Sequence, residues 1–285
     1  MKVAYLLPGF VRDTKYFEEI LKFKKLNLKH RIDIYSNTYD VIGSPHKEPA
    51  DKKGYINSPK IDLTFFERYL DYKGINIENY EMVDEEISNF SSKYCNLIKS
   101  SPGFVNSKSS KMGCIENEQS TLRSYYGQVR NIYKSYELIE NPETYDLIIK
   151  SRYDAWVSQL DLNYYEKYID HNTLFGMDYD FSVTLDNGVL NNILSDIVVF
   201  GDPVAMKTWC EIGKEDVFSK VYQDKNLSSK EYENRCKGAD IKTQLESVLC
   251  YNYFVLNNNK KHIKIDPKHL PNRAYLPRVK YPTLR

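Results

Sequence analysis

The stretch YDLIIKSRYDAWV at 145–157 decides the fold. Leu147, Ile148 and Ile149 form a short unbroken apolar run, the pattern of a strand covered on both faces in a parallel sheet. The run hands the chain to Arg152 and Asp154 just past its end. Open α/β sheets bind ligands outside the carboxyl ends of their strands. Side chains two apart on an extended segment point the same way. Arg152 and Asp154 therefore face one ligand together, or they close an ordinary ion pair at a strand end; R-x-D alone does not separate the two.

Working outward, residues 2–12 read KVAYLLPGFVR, an apolar run stopped by Pro8-Gly9: a buried first strand and a turn. Tyr16, Phe17, Ile20, Leu21 and Leu28 then recur at roughly helical spacing, and 32–36 (IDIYS) is a second strand. The order β-α-β predicts a parallel sheet. Residues 43–60, with three prolines, read as a long loop, 62–87 as one helix and a short strand, and 99–118 as another loop. Leu122, Tyr126, Val129, Tyr133 and Tyr136 place one face of a helix over 119–140, stopped by Asn141-Pro142. Further strands are predicted at 173–176, 194–200 and 262–266. Helices are predicted around Met206–Ile212 and from Asp240 to about Leu256. There is no internal repeat and no clear linker. The expected fold is α/β, a single domain over 1–285 with a central, mostly parallel sheet flanked by helices.

Composition narrows the function classes. Hydrophobic residues make up 41% and charged residues 28%, ordinary for a globular chain, and a net charge of +1 supplies no global field toward nucleic acid. The 25 tyrosines suit a carbohydrate-handling surface, because the ring stacks while the hydroxyl hydrogen-bonds. A coding bias that also enriches Lys, Asn and Ile is the simpler account of them. Five cysteines without C-x-x-C spacing suggest neither a disulfide framework nor a zinc site and fit a reducing, cytoplasmic setting. The first apolar run is too short for a signal-peptide core, and no run reaches the length of a membrane span.

Four segments carry chemistry. At the end of the 147–149 strand, Arg152 offers a bidentate fork to a diphosphate. A carboxylate at Asp154 can hold Mg²⁺ or Mn²⁺ against phosphate oxygens. Gly9 permits close backbone approach at the first turn, within reach of Arg12. GMDYDF carries Asp178 and Asp180, a D-x-D by spelling that suits a sugar or acceptor. Glu246, on an otherwise apolar helix, either snorkels to solvent or is paired.

An N-terminal strand ending in G-F-x-R, then D-I-Y-x-x-T-x-D, Y-D-L-I-I-K-S-R-Y-D and D-I-V-V-F-G, in that order, resembles a family of GT-A glycosyltransferases of bacterial polysaccharide clusters and large DNA viruses. The resemblance runs from Lys2 to about Trp209. It implies a nucleotide-sugar donor held by the half spanning 1–157, and a glycan acceptor, possibly lipid-linked, met by 158–285 with its C-terminal tail. It implies nucleotide-sugar contacts at Pro8, Gly9, Arg12, Thr38, Asp40, Arg130, Arg152 and Asp154. It implies a divalent cation, Mn²⁺ or Mg²⁺, on Asp154 with His269 as a further ligand. It makes Asp196 the first candidate base and Glu246 the second. The departure is Arg152, which stands where the family's D-x-D has its first acid. Bland readings stay open beside these: a surface Arg12, a helix-capping Thr38, a solvated basic face at Arg130 and Lys134, and a strand-capping Asp196.

Other classes lack their signatures. There is no Gly-rich loop after the first strand for a dinucleotide enzyme or methyltransferase, no P-loop and no G-x-S-x-G. A sugar nucleotidyltransferase would want a Gly-rich basic loop early in the chain. A saccharide-binding module on a degenerate transferase fold remains as the non-enzyme alternative.

Overall fold

The computed structural model describes residues 1–11, 14–42, 60–99, 115–153, 155, 157–169, 174–184, 190–223 and 262–264. Strand β1 (Lys2–Leu6) leads through helix α1 (Lys15–Leu26) to β2 (Arg31–Tyr39), then through the short α2 (Leu63–Glu67) to β3 (Tyr72–Glu78). Helices α3 (Tyr80–Lys99) and α4 (Ile115–Glu137) precede β4 (Leu147–Ser151). Short helix α5 (Leu162–Tyr165) is followed by β5 (Leu174–Thr184), β6 (Leu190–Gly201), α6 (Pro203–Cys210), α7 (Glu215–Gln223) and β7 (His262–Lys264).

The seven strands form one sheet in the order β3-β2-β1-β4-β6-β5-β7. β1 pairs in parallel with both β2 and β4, β2 with β3, and β5 with β7. Only β6 runs against its neighbours. The sheet is mixed and mostly parallel, as the β-α-β reading predicts.

Alternation along the strands sorts the core into two layers. Ala4, Leu6, Ile148 and Val199 face α3, α4, α6 and α7, where Val129, Ile132, Trp209 and Phe218 are buried. Val3, Tyr5, Leu147, Ile149 and Phe200 face the opposite layer, with Phe17, Phe23, Phe66 and Leu162. Local chemistry fixes the helix ends. Asp202 accepts from the Ala205 amide at 2.9 Å with Pro203 in the first turn of α6. Buried Asn27 closes α1 by donating to the Phe23 carbonyl at 2.9 Å and the Leu160 carbonyl at 2.8 Å, while accepting from the Leu162 amide at 2.8 Å. At Gly213 a Cβ would lie 2.1 Å from the Val129 carbonyl oxygen, so only glycine lets this turn press against α4.

Several expectations need correction. Leu21 and Leu28 point outward, 48% and 79% exposed; the inward stripe of α1 is Phe17, Ile20 and Phe23. The 62–87 segment holds the start of α3 besides the expected helix and strand. β2, β5 and β6 run longer than predicted. The predicted 240–256 helix and most of the 43–60 loop lie outside the described residues.

Candidate functional site

The chain leaves β1 toward β2 on one side and reaches β4 on the other, so the strand order reverses between β1 and β4. This is the switch point at which an open α/β sheet leaves a crevice outside its carboxyl ends. Three strand ends meet there: Leu7–Gly9 after β1, Thr38–Asp40 at the end of β2, and Ser151–Tyr153 after β4.

The turn after β1 is fastened to β2. The Leu7 amide donates to the Tyr35 carbonyl at 2.8 Å and the Gly9 amide to the Asn37 carbonyl at 2.9 Å. Ser36 Oγ donates to the Leu7 carbonyl at 2.7 Å, and Thr38 Oγ1 to the Gly9 carbonyl at 2.9 Å. Thr38 is thus a fully buried tether for the turn. Gly9 has φ of 94°, left-handed backbone that other residues avoid, and the space over its Cβ direction is open to 4 Å. Phe10 packs on Tyr39 and Tyr80, ring centroids 4.2 and 5.3 Å away.

Asp40 serves the scaffold. Its carboxylate accepts from the Tyr80 amide at the start of α3 at 3.0 Å, from Lys60 Nζ at 2.6 Å and from Asn79 at 3.2 Å. A ribose or base contact would have to compete with these three.

Arg130 corrects two expectations at once. It is neither on a solvated basic face nor open to phosphate, but buried. Its guanidinium donates to both carboxylate oxygens of Glu78 at 2.8 and 2.9 Å and to those of Glu86 at 2.8 and 2.7 Å. Asn37 adds a 2.7 Å bond to Glu78, and Asn131 donates to Tyr39 Oη. Burial alone would push the Glu78 carboxyl up, but the Arg130 and Asn37 hydrogen bonds and the Arg130 charge hold it below the ordinary value. Exposed Lys134 pairs with Glu137 at 2.8 Å.

Arg152 is half-buried at the carboxyl end of β4. Its carbonyl accepts from the Ala155 amide and from Ser151 Oγ, both at 3.1 Å, which closes a tight turn. Tyr153, 2% exposed, drops into the core beneath that turn. Lys150 was not singled out in the sequence: it is fully buried in β4, its amine 5.8 Å from the centre of the Trp209 ring. Burial pushes the nearby Cys210 thiol up, so it stays protonated and inert at neutral pH.

The reversed strand brings further residues to the same edge. β4 and β6 pair from Ile148↔Gly201 to Ser151↔Val198, and β6 extends beyond that last partner with β5 beside it. The two strands thus form a ribbon that passes the end of β4 by roughly 20 Å. Its register shifts twice, between Gly176/Asp178 and between Asp178/Ser182. The irregular stretches hold Asp180 on β5 and Asp196 on β6, while Asp178 pairs with Leu194. Asp196 therefore lies inside β6 and does not begin it, which corrects the expectation. Bulges of this kind bend a strand and re-aim its residues, and they are frequent next to active sites.

Arg12, Asp154, Glu246 and His269 lie outside the described residues. Among the described residues no three acidic, His or Cys side chains gather as a metal site. Among the described residues no helix is long and apolar enough to cross a membrane. No protein-family model and no curated protein matches the chain.

Proposed function

We propose that the chain is a GT-A-type glycosyltransferase that moves a sugar from a nucleotide-sugar donor to a glycan or other saccharide acceptor. The observation that carries the reading is the reversal of strand order between β1 and β4, with the left-handed Gly9 turn and Arg152 at the carboxyl ends of these two adjacent strands. A mostly parallel sheet with helices on both faces is what the resemblance in the strand-end motifs implies. In this reading the donor diphosphate lies between the Gly9 turn and Arg152. The acceptor hydroxyl attacks the anomeric carbon, the bond to the nucleoside diphosphate breaks, and the diphosphate departs with the electron pair. Arg152 stabilises the charge that develops there. In an inverting reaction the acceptor proton passes to a carboxylate, Asp196 first and Glu246 second. A cation on Asp154, Mn²⁺ or Mg²⁺, would share the diphosphate charge; His269 is its second candidate ligand. The β5–β6 ribbon, with Asp178 and Asp180, borders the acceptor side.

Arg152 in place of an acid also favours a second reading, a saccharide-binding module without turnover. One experiment separates them: the melting temperature with UDP-, GDP-, CMP- and dTDP-sugars, each with and without Mn²⁺. A donor at a hundred times its Kd raises the melting temperature by roughly 5–10 °C. A shift with one nucleotide, followed by release of its free nucleotide (UDP, GDP or dTDP, or CMP from a CMP-sugar) in the presence of acceptor, supports the transferase. No shift with any donor ends it.

A further inference from the structure

Three hydroxyls meet beneath the carboxyl ends of the central strands, and their chemistry fixes the direction of the chain they form. Ser36 Oγ lies 2.7 Å from the Leu7 carbonyl oxygen, which can only accept, so its one hydrogen is committed there. Tyr153 Oη, 2.7 Å from Ser36 Oγ, is then the donor of that pair. Tyr72 Oη, 3.3 Å from Tyr153 Oη, donates in turn. The result is a one-way relay from Tyr72 on β3, through Tyr153 after β4 and Ser36 on β2, to the backbone of β1 just before Pro8-Gly9. Burial pushes the Tyr153 phenol up to about 12, so it keeps the proton the relay needs.

We propose that Tyr153 is a positioning residue whose hydroxyl locks the turn carrying Arg152 to the turn carrying Gly9, so that the two sides of the crevice meet a donor diphosphate as one rigid unit. The proposal rests on the transferase reading above. Packing alone does not call for the hydroxyl. The Tyr153 ring meets Phe17 edge-on at 5.8 Å, a contact that phenylalanine would keep. The hydroxyl adds only the relay, and the relay joins the segments on either side of the switch point.

The opposite edge of the sheet supplies a matched control. Tyr145 Oη donates to Asp33 at 2.8 Å and lies 2.7 Å from Tyr35 Oη. Tyr145→Phe is therefore the same chemical change away from the crevice. Tyr153→Phe and Ser36→Ala should each speed amide exchange across 150–158 about tenfold, the double variant should be no faster than either, and Tyr145→Phe should leave that segment unchanged. With the sugar nucleotide that turns over, Tyr153→Phe and Ser36→Ala should raise the donor KM about tenfold, with a smaller change in kcat, and Tyr145→Phe should leave KM alone. Unchanged exchange across 150–158, additive effects in the double variant, or an equal KM change in Tyr145→Phe overturns the lock. A wild type that turns over no sugar nucleotide removes the transferase reading instead, and the exchange measurement still decides the lock.

Discussion

At the amino edge of the sheet charged and polar groups answer one another. The Lys2 amide donates to Asp146 at 2.7 Å, its amine donates to Thr144 at 2.8 Å and lies over the Tyr145 ring, and Arg31 pairs with Asp33 at 3.2 Å. At the carboxyl edge the described hydroxyls and amides of Leu7, Gly9, Ser36 and Thr38 are fastened to backbone carbonyls. The first edge cancels much of its charge locally. The second spends its polar groups on holding backbone still, beside a half-buried arginine. Ion pairs and caps do appear at the flank of the carboxyl edge, where Arg130 and Asp40 close β2 and β3 against α3 and α4.

The contrast can be broken or sharpened by measurement. The largest effect expected is at its centre: Arg152→Ala, or Asp154→Ala, should lower transfer 10²- to 10³-fold, about 3–4 kcal/mol, with an unchanged melting temperature. Full activity in Arg152→Ala would make the two edges equivalent. At the closed flank, Arg130→Ala should leave transfer chemistry intact per folded molecule but cost about 3 kcal/mol in urea unfolding, because it strands the largely buried Glu78 carboxylate. The same network predicts a pH limb. Because the folded Glu78 value is depressed, its stabilisation is present above the unfolded value of about 4.3 and is lost as pH falls through the lower folded value. Urea midpoints from pH 7 to pH 3 should fall less steeply in Glu78→Gln. Gly9→Ala should cost about 1 kcal/mol from its left-handed backbone, and a donor KM that rises further would report close ligand approach. The smallest effect belongs to the amino edge: Arg31→Ala, with a side chain 66% exposed, should change stability by less than about 0.5 kcal/mol and transfer not at all.

Much of the architecture was legible because buried parallel strands announce themselves. Val3–Leu7 and Leu147–Ile149 are unbroken apolar runs, and the turn residues Pro8-Gly9 and Asn141-Pro142 mark where elements stop. Helix α3 was missed because its inward residues Val83, Ile87 and Phe90 are thinly spread among acidic ones. Lys150 sits in a strand fully covered on both faces, a place that charge patterning would not assign to a lysine. The places of Gly9 and Arg152 just past strand ends follow from the apolar runs before them. Arg130 was misread since its partners Glu78 and Glu86 lie 52 and 44 residues away, and no local pattern marks a cation for burial. Tyr153 and Ser36, 117 residues apart, were invisible for the same reason. The middle letter of R-x-D carried no signal until the sheet brought β2 beneath it.

The single reversed strand has a consequence of another kind. β6 is joined to the four leading strands only along Ile148–Ser151, and above that point β5 and β6 pair with each other among the described residues. The ribbon can therefore be lengthened, trimmed or exchanged without disturbing the pairings among the four leading strands. Such a layout marks the ribbon as the natural seam for grafting between related chains.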